Sequence, residues 1–403
     1  MSAHSGPIDK KLLHRDVFLA SVLTFVILFL LKLVIFNTKY LDPISLPLSD
    51  FQFTDLFYSQ FRKQQTAIDT NIVIVNIGEN DRAALVQQLQ IIQSFNPKVI
   101  GLDVTFIAQK DAETDSALKA VLHGNIPVVL TSNIVYGEKK EDKAAFELES
   151  SNEYFEKKND EGFGNFLAEE GQTVRYYPPF LSKGNEKIPA FSTRVISKYD
   201  SSAYHKLLAR KLKTEIINYQ SDNFAKLDVS DIYTSADLNF LRNKIVLMGY
   251  MGPNFSQIVF EDNHLTPLNK SYGGHAQPDK YGIEIHANII SMALRQNFVN
   301  ELPKWTTYLI AFLICMAHMY LFIYLFVKHH KWFHLGVKVM QLASFAVIVF
   351  IALLIFGLLD LKLEPGYIVI GVLLSGDAIY FYEAFVIAIN HKFHFKSLFA
   401  QSH

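Results

Sequence analysis

Three side chains in the second half of the domain, Asp262, His264 and His286, carry the oxygen and nitrogen atoms that a divalent metal accepts. Their spacings of two and 22 residues match no compact ligand signature, so no metal site is expected. Gly249-Tyr-Met-Gly252 follows an apolar run and invites comparison with a phosphate cradle, but it has neither a GxGxxG pattern nor the lysine of a phosphate loop. A tight turn at a strand end is expected there instead. No GxSxG elbow occurs, which leaves no case for a serine hydrolase. The single cysteine, Cys315, has no second thiol to bridge and sits in an apolar run without a neighbouring ligand. Other ionisable groups also fall inside long apolar runs: His318, Lys338, Asp377 and Glu383. Such groups are costly in hydrocarbon and tend to face protein or water, which makes them functional candidates by position alone.

The elements that must hold these groups are uneven along the 403 residues, half of which are apolar. Four runs are long enough to cross a bilayer: Val17 to Phe36, Thr306 to Val327, Leu335 to Leu359 and Gly366 to Ile389. The first is longer than the core of a cleaved signal peptide and no small-residue cleavage site follows it, so it is expected to remain as an anchor. Lys32, its one charge, is near enough to the end to reach the interface. Lys10, Lys11 and Arg15, then Lys328 and Lys331, then Lys392 and Lys396 mark one side of the membrane as cytoplasmic. Trp305, Tyr308 and Trp332 lie where interfacial aromatics belong. Residues 1–16 and a tail from 390 are then cytoplasmic, while residues 37–305 lie outside the cytoplasm. At a rise of about 1.5 Å per residue, His318 and Asp377 lie at one depth, about 17 to 18 Å from the outer ends of their helices. A His318–Asp377 pair is the expected lock, with Glu383 approaching Lys338 near the inner surface. Gly371 and Ser375 form a small-xxx-small face for close helix packing.

The 269 residues between the first two runs contain 28 basic and 33 acidic side chains, an ordinary soluble surface, and the whole chain carries a formal charge of −1. That balance argues against a basic nucleic-acid binder. Ile72 to Ile77, Val99 to Val104, Pro127 to Leu130 and Ile245 to Met248 are uninterrupted and rich in β-branched residues, as strands buried on both faces are. Between the first two, Leu85, Leu89 and Ile92 recur with helical spacing behind Asn80 or Asp81, and Pro97 ends the helix. Helices are also expected over Pro189 to Ile196 and Ala203 to Lys213, and a strand over Ile216 to Tyr219. Ile283, Ala287, Ile290 and Leu294 mark one face of a further helix. The charged stretch from Gly137 to Glu161 reads as a solvated excursion. The fold class is α/β: a three-layer extracytoplasmic domain around a mainly parallel sheet, carried on a four-helix transmembrane bundle.

Several segments of this domain match a known pattern in order and spacing: FTDLFYSQFR from Phe53 to Arg62, VIGLDVTF from Val99 to Phe106, and GQTVRY from Gly171 to Tyr176. KIVLMG from Lys244 to Gly249, DNHLTPL from Asp262 to Leu268 and GIEIHANII from Gly282 to Ile290 complete the set. Together they resemble the second type of the CHASE sensor domain, an extracytoplasmic module associated with cyclases and histidine kinases. One anchor before the domain and three spans after it are similar to that family's layout. The Gly/Pro/Trp-containing stretch usual after the first strand is reduced here to Gly78-Glu79-Asn80-Asp81-Arg82. The resemblance draws attention to Asp103, Thr105, Asp262, Thr266, His286 and Asn288, the polar residues inside the matching motifs. Ligands of doubly wound sheets gather beyond the carboxyl ends of the strands, where Asp103 lies. These six read first as a network satisfying its own hydrogen bonds, then as a small-ligand or cation site, and last as catalytic groups.

Family members typically continue into a cytoplasmic kinase or cyclase, and this chain stops. The expectation is therefore a non-enzymatic sensor or assembly subunit of a bacterial inner membrane, with its domain in the periplasm. It needs no cofactor and acts through a membrane or periplasmic protein partner or as a homo-oligomer. An ion- or proton-coupled component using Asp377 and His318 is the alternative, and an extracytoplasmic enzyme is a third reading for which no substrate suggests itself.

Overall fold

The computed structural model describes residues 8–37, 52–62, 68–136, 146–155, 160–166, 168, 172–219, 223–235, 237–257, 259, 261–270 and 277–399. Two compact units emerge: Tyr58–Val299, and Met1–Phe57 together with Asn300–His403. The first element of the chain, α1 (Lys10–Asn37), belongs to the second of these.

In the Tyr58–Val299 unit the Val- and Ile-rich runs become strands. The chain order is β1 (Asp69–Asn76), α2 (Arg82–Ser94), β2 (Val99–Leu102), α3 (Ala112–Leu122), β3 (Val128–Tyr136), β4 (Phe146–Glu149) and β5 (Glu161–Phe163). It continues with α4 (Phe191–Tyr199), α5 (Ser201–Arg210), β6 (Phe224–Leu227), α6 (Val229–Thr234), β7 (Ile245–Gly249) and α7 (Gly282–Arg295). Within the sheet the spatial order is β6-β1-β7-β2-β3-β4, with β5 also paired to β3. Every pairing is parallel except β3 with β4. Strand β7 enters between β1 and β2, in register from Ile72 opposite Ile245 and from Val99 opposite Ile245 on its other edge.

Alternation along the strands sends one set of side chains to each face. Val73, Val75, Ile100, Leu102, Val246 and Met248 form a core with Leu85, Leu89 and Ile92 of α2 and Leu118 and Leu122 of α3. Asp81 starts α2 by accepting from the Ala84 amide, and Asp111 starts α3 in the same way through Thr114. On the opposite face lie α4 and α7, and there the strands carry glycine at the points of contact. A Cβ on Gly101 would meet Phe191 and Val195 of α4 at 2.9 and 3.0 Å, and one on Gly249 would meet Ile283 of α7 at 2.8 Å. The result is helices, sheet, helices: the expected three layers around a mainly parallel sheet.

Some local boundaries differ from those expected. Glu186–Pro189 is not helical but pairs with Phe180–Lys183 in a hairpin, and α4 begins only at Phe191. Pro189 fits that strand because it ends the ladder, with the helix starting after it. Helix α5 starts at Ser201 behind the Asp200 cap, and Lys211 stops it in a left-handed conformation at φ +54°. Pairing in the expected strand over 216–219 covers only Glu215–Ile216, against Tyr176–Tyr177, while Ile217 and Tyr219 are buried coil. Part of the charged excursion forms β4, whose side chains alternate between half-buried and exposed. Residues 137–145 and Gly171 lie outside the described residues.

The other unit holds α1, α8 (Lys304–Lys328), α9 (Phe333–Leu359) and α10 (Gly366–Phe393), four helices long and apolar enough to cross a membrane. Leu13, Val17, Phe322, Phe326, Phe333, Ile379 and Tyr382 are among the side chains that form its core. α9 approaches α10 closely at Gly376, where a Cβ would fall 2.7 Å from Val337 and 2.8 Å from Gln341.

Among the described glycines of the domain, Gly162 of β5 lies nearest to foreign backbone: a Cβ there would lie 2.7 Å from the Phe191 nitrogen and 2.8 Å from the Ala190 carbonyl. Gly162→Ala should therefore lower the unfolding free energy by about 1 to 3 kcal/mol, the usual cost of overpacking. Denaturant unfolding of the detergent-solubilised chain measures this, and an unchanged midpoint would mean that α4 can move off the sheet without loss.

Candidate functional site

The carboxyl ends of β2, β3 and β5 open into a cavity of about 530 Å³. Asp103 enters it just past β2, Asn133 from β3, and Phe166 from the segment after β5. Its other wall is built by Asp262 and His264, and by His286 from α7. Asp262 takes a left-handed backbone at φ +58° and its carbonyl accepts the Gly282 amide at 3.2 Å, which ties this wall to the start of α7.

Electrostatics in the cavity is lopsided. Burial, reinforced by repulsion from Asp262, pushes the Asp103 carboxyl up to about 7, against the opposing pull of a hydrogen bond from Thr131 and of His264. His286 moves the other way, to about 3, because burial and then the neighbouring His264 disfavour its charged form. His264 lies 3.7 Å from Asp262, and the Phe166 ring packs against both imidazoles at 5.2 and 4.8 Å between centroids. Among the described residues lining the cavity there is no lysine or arginine.

Ser192 Oγ of α4 lies 2.7 Å from His286 Nδ1, a contact that resembles a nucleophile and its base. Ser192 is fully buried, and the imidazole is also hydrogen-bonded to the Gly164 backbone, so no carboxylate orients it. A hydroxyl without access to solvent, beside a base with no orienting acid, holds α4 to α7 rather than attacking a substrate.

Of the six polar residues singled out by the motifs, Asp103, Asp262 and His286 meet in this cavity. The other three do not. Thr105 donates to the Thr131 carbonyl at 2.9 Å and faces a second cavity of about 590 Å³ between the starts of α2 and α3. In that second cavity Arg82 is ion-paired to Asp115 and Asp81 and Asp111 are occupied as caps. Thr266 bonds Asp279 through its amide at 2.8 Å and its hydroxyl at 2.6 Å. Asn288 returns to the Glu284 carbonyl of its own helix at 3.0 Å. Asn133 and Phe166 were invisible to motif reasoning, and only the strand assignment of β3 hints that residue 133 reaches the carboxyl edge. Asn76, buried at the end of β1, also escaped notice. It accepts from the Gly78 and Met251 amides and donates to Asp228 and the Gly252 carbonyl, which fixes the turn after β7. Gly252 itself sits at φ +88°, the tight strand-end turn expected there.

In the helical unit, His318 does not meet Asp377. Its Nε2 lies 2.7 Å from Ser344 Oγ of α9 and its Nδ1 lies 2.9 Å from the Ile314 carbonyl. Asp377 instead faces Lys338 at 3.9 Å, and both side chains are 63% exposed on the outside of the unit. Equal depth on two helices does not imply facing sides, since 100° of rotation per residue separates neighbours. Glu383 is half-buried on α10, and the carboxylate facing Lys338 is that of Asp377. Gly371 and Ser375 are buried: the Gly371 carbonyl lies 3.7 Å from Cys315 Sγ, and the Ser375 hydroxyl donates to Val372 within its own helix. Asp16 was not anticipated at all. It is fully buried and accepts from Tyr382 (3.0 Å), the Ser397 hydroxyl (2.9 Å) and the Leu398 amide (2.9 Å), with Arg15 at 3.3 Å.

A family model, the CHASE2 domain, matches residues 23–321, about three quarters of the chain. The chain thus belongs to the CHASE2 family, whose domain is an extracytoplasmic sensory module. No curated protein and no solved structure matches it. With four helices able to span a bilayer, this is a membrane protein carrying a sensory domain.

Two measurements follow from this geometry. Between about pH 4 and 6.5, folded Asp103 holds a proton that its unfolded counterpart has lost, so its contribution falls as pH rises. Folded His286 lacks a proton that its unfolded counterpart holds, so its contribution falls as pH drops. The two slopes oppose each other. Asp103→Asn should expose the histidine term as a loss of about 1.4 kcal/mol per pH unit on acidification in that window, and thermal melts of variant against parent would show it. Separately, Asp16→Ala strands three buried donors and should weaken the tail's hold by about 3 kcal/mol, seen as faster tryptic cleavage at Lys396 of the intact chain.

Proposed function

We propose that this chain is a non-enzymatic sensor subunit of a bacterial inner membrane, with its CHASE2 domain in the periplasm, that acts through a partner membrane protein. The observation that carries the sensory reading is the polar cavity at the carboxyl edge of the sheet. It unites residues from β2, β3, α7 and two loops, so that a small occupant would touch every layer of one face. Support for a partner comes from Lys338 and Asp377. An ion pair on the outward surface of an apolar helix bundle faces lipid in a lone chain, and such groups are ordinarily covered by protein or water. The apolar side chains around the pair, Leu342 at 72% and Phe381 at 63% exposure, extend the same surface.

Orientation rests on the basic residues flanking the spans. In a Cys315→Ser background, a cysteine at Lys183, exposed in the domain, should react with an impermeant maleimide in spheroplasts, whereas one at Lys331 should react only after lysis. The reverse labelling would overturn the periplasmic placement. A photo-crosslinker at Leu342 should yield a discrete adduct with a second membrane protein. Adducts with lipid alone would remove the partner.

A further inference from the structure

The cavity beside Asp103 carries an unbalanced charge that points to what it holds. Two carboxylates, Asp103 and Asp262, border it, and no lysine or arginine among the described lining residues offsets them. His286 supplies no fixed positive charge from the core: it is buried as the neutral ring with Ser192 on one nitrogen and the Gly164 backbone as a further partner, while His264 lies 3.7 Å from Asp262. On the same side Phe166 presents an aromatic surface, packed by its neighbours His264 and His286 into a fixed position. Carboxylates at one end and an aromatic face at another are the two features that recognise an organic ammonium ion, the first by charge and hydrogen bonds and the second by cation–π attraction.

Building on the sensory reading above, we infer that the cavity binds a small organic ammonium ion, anchored by Asp103 and Asp262 and flanked by Phe166. The volume, about 530 Å³, lies within the range of small-molecule sites and far exceeds that of a bare metal ion. No group of three or more metal-ligating side chains converges among the described residues, which argues for the organic ion over a divalent metal. Asn133 and Gln172 line the same space and offer carboxamide oxygens to further N–H or O–H groups of the ligand. The titratable groups facing Asp103 are Asp262 and His264 on one wall and His286 on α7, so a cation entering here competes with the proton on Asp103.

The test uses the full chain in detergent, titrated calorimetrically with choline, butylammonium, acetate, glucose and magnesium ion. At least one ammonium probe should bind, about tenfold more weakly at about pH 5.5 than at about pH 8 as Asp103 takes up its proton. Asp103→Asn should weaken binding by about 30-fold, and Asp262→Asn, on the exposed rim, should weaken it in the same direction if the first variant folds poorly. Phe166→Leu should cost about fivefold. Absence of binding by both ammonium probes, or binding indifferent to Asp103→Asn and Asp262→Asn, overturns the inference. Acetate or glucose binding that these variants abolish would overturn the ammonium class while leaving the sensory reading in place. Magnesium binding with the same dependence would replace the organic ion by a metal. Silence toward every probe would count against both.

Discussion

A sheet whose strands are apolar on both sides has to be roofed twice, and in this domain the second roof is set unusually low. Gly101, Gly162 and Gly249 remove side chains under α4 and α7: backbone at the start of α4 approaches β5 directly at Gly162, and side chains of α4 and α7 fill the space over Gly101 and Gly249. Ser192 and His286 then meet across the two helices, and the ring of His286 comes to rest over the carboxyl edge where β2 delivers Asp103. Were these positions alanine, the helices would stand farther out and the cavity wall would open. Packing on one face thus fixes the electrostatics at one edge: the same close approach that dries the His286 imidazole keeps it neutral, so it does not offset the Asp103 carboxyl.

Polar groups in the helical unit fall into two kinds. His318, Gln341 and Asp16 have partners on other helices or on the tail and are satisfied within the chain. Lys338 and Asp377 pair at 3.9 Å on the outside, with most of each side chain uncovered. Interior polar contacts specify how these helices pack, while the exterior pair leaves two charges on the outward surface of the unit.

Much of the fold was legible because its signals are local. Uninterrupted Val and Ile runs gave the buried strands, the repeat Leu85, Leu89, Ile92 gave α2, and Asp81 its start. Long apolar stretches gave four spanning helices, although α1 begins seven residues ahead of the apolar run, at Lys10. Strand order was not legible, since β7 joins β1 and β2 from more than 140 residues away in sequence. Half of the site residues share this difficulty. Asp103 lies at a strand end that can be recognised locally, but nothing near Thr105 announces that it turns to the opposite cavity, and helical rotation rather than depth decides that His318 meets Ser344. Asp16 reads as one more charge in a basic leader, because its partners are drawn from the far end of the chain.

That last separation has a temporal side. The hydroxyl and amide that satisfy Asp16 stand at positions 397 and 398 and are made 381 and 382 residues after it. Until then Asp16 has Arg15 beside it in sequence but lacks the three donors that enclose it in the finished fold. Only when α10 and the segment carrying Ser397 and Leu398 have been made can the helical unit close around Asp16.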